Sequence, residues 1–291
     1  MLAAVFVFSC MDALLKFFTQ FYPPMQVSAL RGFASLPFLV LPVLFMGRVQ
    51  DLKPVRWRMH LLRGVLSVVI MGGFVYAVKV MSLADAYAIF LSAPLIVTAL
   101  SVPLLGEKVG WRRWAAICVG LAGVIAMLRP SASGLMTLGA LGALVSAICY
   151  AFNAITLRVL TRTDTSISVV FWTFLLMSII STMIAAHEWV PVRLDHYGWV
   201  ALLGAIGAVA ARLMTEAFRS APPSVIAPFE YTALLWGVGI DWALWDTLPS
   251  HRVYYGGGIV IASGLYIIWR ERRTNAAQLA PAPGGSGATA T

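Results

Sequence analysis

Charged residues and cysteines are both scarce in this 291-residue chain. Asp, Glu, Lys and Arg make up 11% of the residues, whereas hydrophobic residues make up 60%. One globular core could not bury so much apolar surface, so the composition predicts an integral membrane protein. The 3 cysteines all lie inside apolar runs and imply no disulfide framework. The net charge of +9 comes from basic residues that separate apolar segments, which argues against a nucleic-acid-binding face.

The sequence also lacks the motifs of common enzyme sites. It contains no Walker motif, no nucleophile elbow and no metal-ligand cluster, and its 4 histidines lie in or beside loops. We therefore expect no enzymatic activity, no cofactor and no metal site. One short match, "GVGID" at Gly237–Asp241, fits the Gly-x-Gly-Asp pattern of intramembrane aspartyl proteases, but the Tyr-Asp dipeptide that would supply the second carboxylate is missing. Such a protease is a remote alternative.

The apolar residues form ten runs that could each cross about 30 Å of hydrocarbon, which takes roughly 20 helical residues. Runs that are apolar on all sides and rich in Leu, Ala and Gly predict helices and not the alternating strands of a barrel. The ten predicted spans are Met1–Phe18, Met25–Met46, Leu62–Met81, Leu83–Leu105, Trp111–Leu128, Leu135–Leu157, Thr165–Ala186, Tyr197–Phe218, Ser224–Leu244 and Val253–Trp269. The tail at 274–291 has no apolar periodicity, so we expect it to be disordered.

Basic residues between the spans predict the orientation of the chain. With the N-terminus in the cytoplasm, the inside loops and tail hold fourteen Lys and Arg residues and the outside loops hold four. Since basic loops stay inside, both termini are predicted to be cytoplasmic in a multi-pass protein of the inner, or plasma, membrane.

The chain also repeats itself weakly at a shift of about 140 residues. The stretch Ala77–Leu95 then aligns with Ala217–Leu235 in its order of charge, proline and small residues. This predicts two five-helix repeats, at 1–130 and 131–273, and an odd number of helices inverts the second copy in the membrane. Pro94 and Pro228 interrupt corresponding elements of the two repeats, which makes them candidate hinges.

Two strings carry a resemblance to a known family. "LLGEKVGWRRWAAICVGLAGVIAML" at Leu104–Leu128, together with "SVIAPFEYTALLW" at Ser224–Trp236, resembles the EamA branch of the drug/metabolite transporter superfamily. The resemblance covers Met1 to Arg273. It implies a ten-helix secondary transporter of two inverted repeats around a central cavity, lined mainly by helices 1, 3, 4, 6, 8 and 9. The chain departs from the family at Trp245–Thr247, where a second Gly-Glu pair is usual, so the two hinge loops need not be equivalent.

Polar side chains inside the apolar runs are the candidate cavity residues. Glu230 lies about 9 Å inside one membrane face by helical rise, where a carboxylate is expected to face a cavity, with a helix-bridging role as the alternative. Asp12 and Lys16 lie one turn apart and could neutralise each other, and the same holds for Arg212 and Glu216. For Arg31 we expect snorkelling to the headgroups, with a cavity-edge contact as the alternative. The full set of candidates is Asp12, Lys16, Tyr76, Tyr87, Tyr150, Asn153, Arg212, Glu216, Glu230, Tyr231 and Trp236.

The repeat and the resemblance together predict a carrier that moves small organic metabolites by alternating access. Amino acids, including aromatic ones, or their derivatives are the first expectation for the substrate. Uptake of S-adenosylmethionine, riboflavin or another cofactor-like metabolite is the alternative. The expected partners are the lipid bilayer and the small-molecule substrate, with protons as a candidate coupling ion and no nucleic acid. The carrier is expected to be a monomer or a homodimer.

Overall fold

The computed structural model of the chain describes residues 1–105, 110–127, 138–220, 229–248 and 251–279. These residues are almost entirely helical and contain no β-strand, as the apolar runs predict. The helices are α1 (Leu2–Phe18), α2 (Pro24–Phe45), α3 (Trp57–Val80), α4 (Leu83–Phe90), α5 (Ala93–Leu105), α6 (Trp111–Met127), α7 (Leu138–Leu160), α8 (Ser166–Ala185), α9 (Tyr197–Ser220), α10 (Thr232–Trp245) and α11 (His251–Leu279).

Within the described part of the chain, six segments are long and apolar enough to cross a membrane. They are Pro24–Phe45, Trp57–Val80, Leu83–Leu100, Leu138–Leu160, Ser166–Glu188 and Leu194–Ala217. Helices α1 and α6 have 17 residues each and α10 has 14, so these three fall short of the length of a full span. Each of the ten predicted runs nevertheless contains a described helix.

The helices pack across the two halves of the chain. Helix α3 packs on α7 and α8, α2 packs on α8 and α9, and α1 packs on α9 and α10. At the crossing of α3 and α7, a Cβ atom on Gly73 would lie 2.8 Å from the carbonyl oxygen of Gly142, so only glycine allows this approach. The two halves of the chain therefore meet along an interface between helices, and a cavity can lie within this interface.

The fourth predicted span is not one helix. The single helix predicted for Leu83–Leu105 is wrong, because the chain turns at Leu91 and Ser92 between α4 and α5. Pro94 explains the break, since it has no N–H to continue the helical ladder and its ring disfavours helical geometry in the residue before it. A second turn occurs at Tyr231, between helical Phe229–Glu230 and α10, which is 140 residues after Leu91. The interruptions thus recur at the shift found in the sequence, although Pro228 itself lies outside the described residues.

The last helix is longer than expected. Helix α11 continues to Leu279, so the prediction of a disordered tail is wrong for residues 274–279. Ala, Gln and Leu in that stretch are good helix formers, and extending an existing helix avoids the cost of nucleation. Residues 280–291 lie outside the described part of the chain.

Candidate functional site

A central cavity of about 260 Å³ lies where the two halves meet. Helices α1, α2, α3, α4, α7, α8, α9 and α10 contribute to its wall, as does Glu230 just before α10. Its charged and hydrogen-bonding lining includes Asp12, Arg31, Tyr87, Tyr150, Asn153 and Glu230. Much of the remaining lining is apolar, with aromatic rings from Phe8, Phe74, Phe90 and Phe174. An apolar pocket with a few convergent polar groups is the usual form of a small-molecule site.

Asp12 carries the negative charge on the α1 side of the cavity. The residue is 8% exposed, and its Oδ2 atom accepts a hydrogen bond of 2.7 Å from the Tyr87 hydroxyl. The Tyr87 ring stacks on Phe74 with 5.8 Å between ring centroids, so packing fixes the hydroxyl toward the carboxylate. Asp12 is therefore hydrogen-bonded but has no basic residue within 4.0 Å in the described chain.

A second carboxylate faces the same cavity from the other half of the chain. The Tyr150 hydroxyl lies 3.4 Å from Oε1 of Glu230, a long hydrogen bond. One turn further along α7, the Nδ2 group of Asn153 lies 3.4 Å from the Ser67 hydroxyl, while its Oδ1 atom is buried without a donor among the described residues. The amide oxygen can therefore accept a hydrogen bond from a ligand.

Arg31 is a cavity residue for which the sequence analysis gave a cavity-edge contact only as the alternative. The expected snorkelling to the headgroups is wrong, because the residue is 6% exposed and lines the cavity. Its guanidinium contacts the Met71 sulfur and lies 5.6 Å from the centre of the Phe174 ring, and its Nε atom has no acceptor. In the described chain no carboxylate lies within 4.0 Å of Arg31. A polar stripe of Ser28, Arg31 and Ser35 on α2 is the sequence signal for this inward face.

A buried ion pair joins the two halves of the chain beside the cavity. Lys16 Nζ lies 2.6 Å from Oδ1 of Asp241, whose side chain is fully buried. The other oxygen of Asp241 accepts a 3.0 Å hydrogen bond from the backbone N–H of Ala84, and the Lys16 ammonium lies 4.3 Å from the centre of the Trp245 ring. Lys16 is therefore not neutralised by Asp12, its neighbour one turn away.

A second buried pair joins the halves near the start of α3. His60 Nε2 lies 2.8 Å from Oδ1 of Asp164, and both side chains are fully buried. Asp164 also accepts hydrogen bonds from the backbone N–H of Val55 and the hydroxyl of Thr163, each 2.8 Å long. Burial raises the pKa of Asp164, but the bonds from His60, Val55 and Thr163 together outweigh it and hold that pKa below its ordinary value.

Comparison with known proteins settles the family. The sequence profile of the EamA-like transporter family matches residues 1–129 and 137–270. The chain belongs to the EamA-like transporter family. It is thus a multi-pass membrane protein that transports a small molecule, and the resemblance seen in the sequence is confirmed.

Three curated relatives of this EamA transporter carry transport functions. The chain is 26% identical over 265 residues to an S-adenosylmethionine uptake transporter of Rickettsia bellii, covering 91% of this chain and 90% of the relative. It is 26% identical over 280 residues to a riboflavin transporter of Vibrio cholerae, covering 94% and 93%. It is 22% identical over 261 residues to a pseudopaline exporter of Pseudomonas aeruginosa, covering 89% and 91%. A solved crystal structure shares the fold with a TM-score of 0.69 and 18% identity, over 93% of this chain and 96% of that one.

The remaining predicted site residues of the EamA transporter lie away from the central cavity. Tyr76 is half-buried on α3 and does not contribute to the lining. Tyr231 packs in the apolar core against the backbone of Gly264, while Trp236 contacts Phe6 with 4.8 Å between ring centroids. Arg212 and Glu216 are exposed on α9 and line a second, larger cavity.

Asp241 has a structural position that does not support the protease alternative. An aspartyl protease needs two carboxylates that share a proton. Both oxygens of Asp241 are occupied, one by Lys16 and one by the N–H of Ala84. The chain belongs to a family of transporters, which gives the short Gly-x-Gly-Asp match no support.

Proposed function

We propose that this transporter carries a small zwitterionic metabolite that bears an α-amino-acid group. The observation that supports this most is the charge arrangement of one cavity: Arg31 attracts Asp12 electrostatically, yet among the described residues neither of them nor Glu230 forms a salt bridge within 4.0 Å. A substrate carboxylate would bind the Arg31 guanidinium, and its ammonium group would bind the carboxylates. Charge-assisted hydrogen bonds of this kind are about twice as strong as neutral ones.

The free-energy cost of burying these charged side chains without a salt-bridge partner supports the same proposal. A buried charge without a partner is destabilising by several kcal/mol, and water would have to compensate it whenever no substrate is bound. The free Oδ1 atom of Asn153 adds one acceptor for a substrate ammonium group. Rings of Phe74, Phe90 and Phe174 offer a surface for an apolar or aromatic side chain.

The size of the cavity favours an amino acid over a larger metabolite. Its volume of about 260 Å³ is near the lower end of the roughly 300–1,000 Å³ of typical ligand sites. S-adenosylmethionine is the second candidate, because a relative is an uptake transporter for it and because it carries the same amino-acid group plus a sulfonium cation. It would require the cavity to widen. Riboflavin has neither charge and would leave Arg31 unpaired.

Alternating access would work through the two buried side-chain pairs that join the halves. In the proposed mechanism the repeats at 1–130 and 131–273 rock against each other around the cavity. Lys16–Asp241 and His60–Asp164 each connect one repeat to the other and lie toward opposite ends of α3, so opening either side breaks one pair. The hinge positions would be the interruptions at Leu91 and Tyr231.

Orientation is a separate part of the proposal. The excess of basic residues in alternate loops supports an orientation in the plasma membrane with both termini in the cytoplasm. In a variant without native cysteines, a cysteine at exposed Arg56 should react only with reagent supplied from the cytoplasmic side. A cysteine at exposed Leu194 should react only from outside. The reverse labelling pattern would overturn the orientation.

Transport by purified protein in liposomes tests the substrate. Radiolabelled amino acids, S-adenosylmethionine and riboflavin should be compared, with counterflow to show that a carrier is at work. Arg31→Gln should raise the KM for the accepted substrate by about 10- to 100-fold, because a hydrogen bond to a charged group contributes roughly 1.5–3 kcal/mol. The control Arg193→Gln, at an exposed loop residue, should leave KM unchanged. Equal transport of analogues that lack the carboxylate would overturn the proposal.

A further inference from the structure

A second cavity, of about 640 Å³, opens between α2, α8 and α9 and shares no lining residue with the central cavity. We call it the α2–α8–α9 groove. Its apolar wall includes Phe38 and Pro42 of α2, Met46 just after α2, Val170 of α8, and Ala205 and Val209 of α9. The groove lies at the C-terminal end of α2 and α9 and at the N-terminal end of α8, so one end of the three helices forms its rim.

Two arginines at the rim of the groove have no ion-pair partner in the described part of the chain. Arg48 and Asp51 neutralise each other at 2.7 Å. Arg162 and Arg212 have no carboxylate within 4.0 Å in the described part of the chain, and this includes Glu216, one turn beyond Arg212. Asp164, which also lines the groove, is bound by His60 at 2.8 Å, so Arg162 and Arg212 are the rim cations that an anion can bind.

The charged and apolar parts of the groove lie at different depths. Arg48 lies three residues after the end of α2 and Arg162 two residues after the end of α7, where helices of these lengths are expected to leave the hydrocarbon. Arg212 lies eight residues before the end of α9, about 12 Å deeper by helical rise, and its long side chain can reach back toward the rim. The apolar wall thus lies where acyl chains lie, and the arginines lie at or reach toward the headgroups.

We propose that the α2–α8–α9 groove binds one anionic phospholipid. Its phosphate contacts Arg212 and Arg162, and an acyl chain covers the apolar wall. Basic pockets between transmembrane helices bind the headgroups of anionic lipids in this way. The headgroup of an anionic lipid supplies the partner that Arg162 and Arg212 lack, whereas a zwitterionic lipid brings a cation of its own to the same site and a free phosphate leaves the apolar wall uncovered. The site is independent of the substrate proposed for the central cavity.

Native mass spectrometry of the full chain tests this proposal. The protein is equilibrated in vesicles that contain equal amounts of phosphatidylglycerol and phosphatidylcholine. It is then extracted, and the mass of the protein with its retained lipid is measured. We expect one retained phosphatidylglycerol in clear preference to phosphatidylcholine. Arg212→Gln and Arg162→Gln should each weaken the preference about fivefold, since one basic residue near an anionic membrane surface contributes roughly that much. Arg193→Gln, which removes an equal charge from an exposed loop, should change nothing.

A variant of the apolar wall separates lipid binding from simple anion binding. Ala205→Phe narrows the half-buried part of the wall and should lower lipid retention without altering the arginines. The proposal is overturned if the two lipids are retained equally, or if Arg212→Gln and Arg162→Gln bind like the parent. It is also overturned if inorganic phosphate protects the protein against thermal unfolding as well as phosphatidylglycerol does. A dimer mass without retained lipid would assign the groove to a second copy and overturn it too.

Discussion

The pair of Lys16 and Asp241 makes the strongest prediction about stability. Asp241 is fully buried and the Lys16 side chain is 14% exposed, with 2.6 Å between the charged atoms. Removing one partner of a buried pair leaves a charge without compensation, which typically costs about 3–5 kcal/mol. Removing both charges together costs much less, because neither is then left alone.

The two single substitutions are not expected to be equal. Lys16→Met leaves the Asp241 carboxylate with only the N–H of Ala84 as a partner. This substitution should therefore lower the free energy of unfolding by the full amount of about 3–5 kcal/mol. Asp241→Asn should cost less, because the Lys16 ammonium keeps some contact with solvent and still lies over the Trp245 ring. The double variant Lys16→Met/Asp241→Asn should recover most of the loss.

Thermal unfolding of purified protein in a single detergent measures these differences. At about 2–4 °C per kcal/mol, Lys16→Met should lower the melting temperature by ~6 °C or more. The matched control is Asp195→Asn, since the Arg193–Asp195 pair is 58% and 59% exposed and such pairs contribute about 0–1 kcal/mol. A fall in the melting temperature of less than ~2 °C for Lys16→Met would refute the reasoning, as would a double variant that lost as much stability as the two single variants together.

Three further predictions concern single residues. Glu230→Gln keeps the size of the side chain and its bond to Tyr150 but removes the charge, so it should fold like the parent and alter the transport rate or its pH profile. If the variant transports at the parental rate with an unchanged pH profile, the role of Glu230 is to bridge helices. Pro94→Ala should lower the transport rate more than the substrate affinity, because it removes the cause of the break between α4 and α5; loss of folded protein alone would mean that Pro94 only shapes packing. Because the pKa of Asp164 is lowered in the folded protein, its ionised carboxylate stabilises the fold fully above the ordinary aspartate pKa of about 3.9, and this stabilisation is lost as the pH falls through the lowered folded-state pKa. Asp164→Asn should therefore flatten the acid limb of the profile of melting temperature against pH. An equally steep acid limb in the variant would contradict this.

The sequence predicted the helical architecture well because a membrane imposes local rules. Length and continuous hydrophobicity identify a spanning helix without knowledge of its neighbours. The position of Pro94 also marked the interruption of the fourth span, although the two-helix outcome was not predicted. A turn at Tyr231 could not be inferred from residue type, since tyrosine has no special turn preference.

The partners of the charged residues could not be predicted in the same way. Spacing along a helix gave Asp12 as the neighbour of Lys16, yet Lys16 binds Asp241, 225 residues away. Arg63 was counted with the loop cations, but it is 7% exposed and donates to the backbone oxygen of Asn153 at 2.8 Å. Such contacts depend on how α1, α3, α7 and α10 cross, and that is a tertiary property.

The two carboxylates of the central cavity show how the repeat is used. In the first half the carboxylate is on the first span, as Asp12, and the tyrosine that binds it is on the fourth, as Tyr87. In the second half the tyrosine is on the first span, as Tyr150, and the carboxylate is on the fourth, as Glu230. The same contact between corresponding spans is kept while its donor and acceptor change places. In the proposed inverted repeat this puts one carboxylate on each side of the pseudo-symmetry axis, so a substrate cation could pass from one to the other while its carboxylate stays on Arg31.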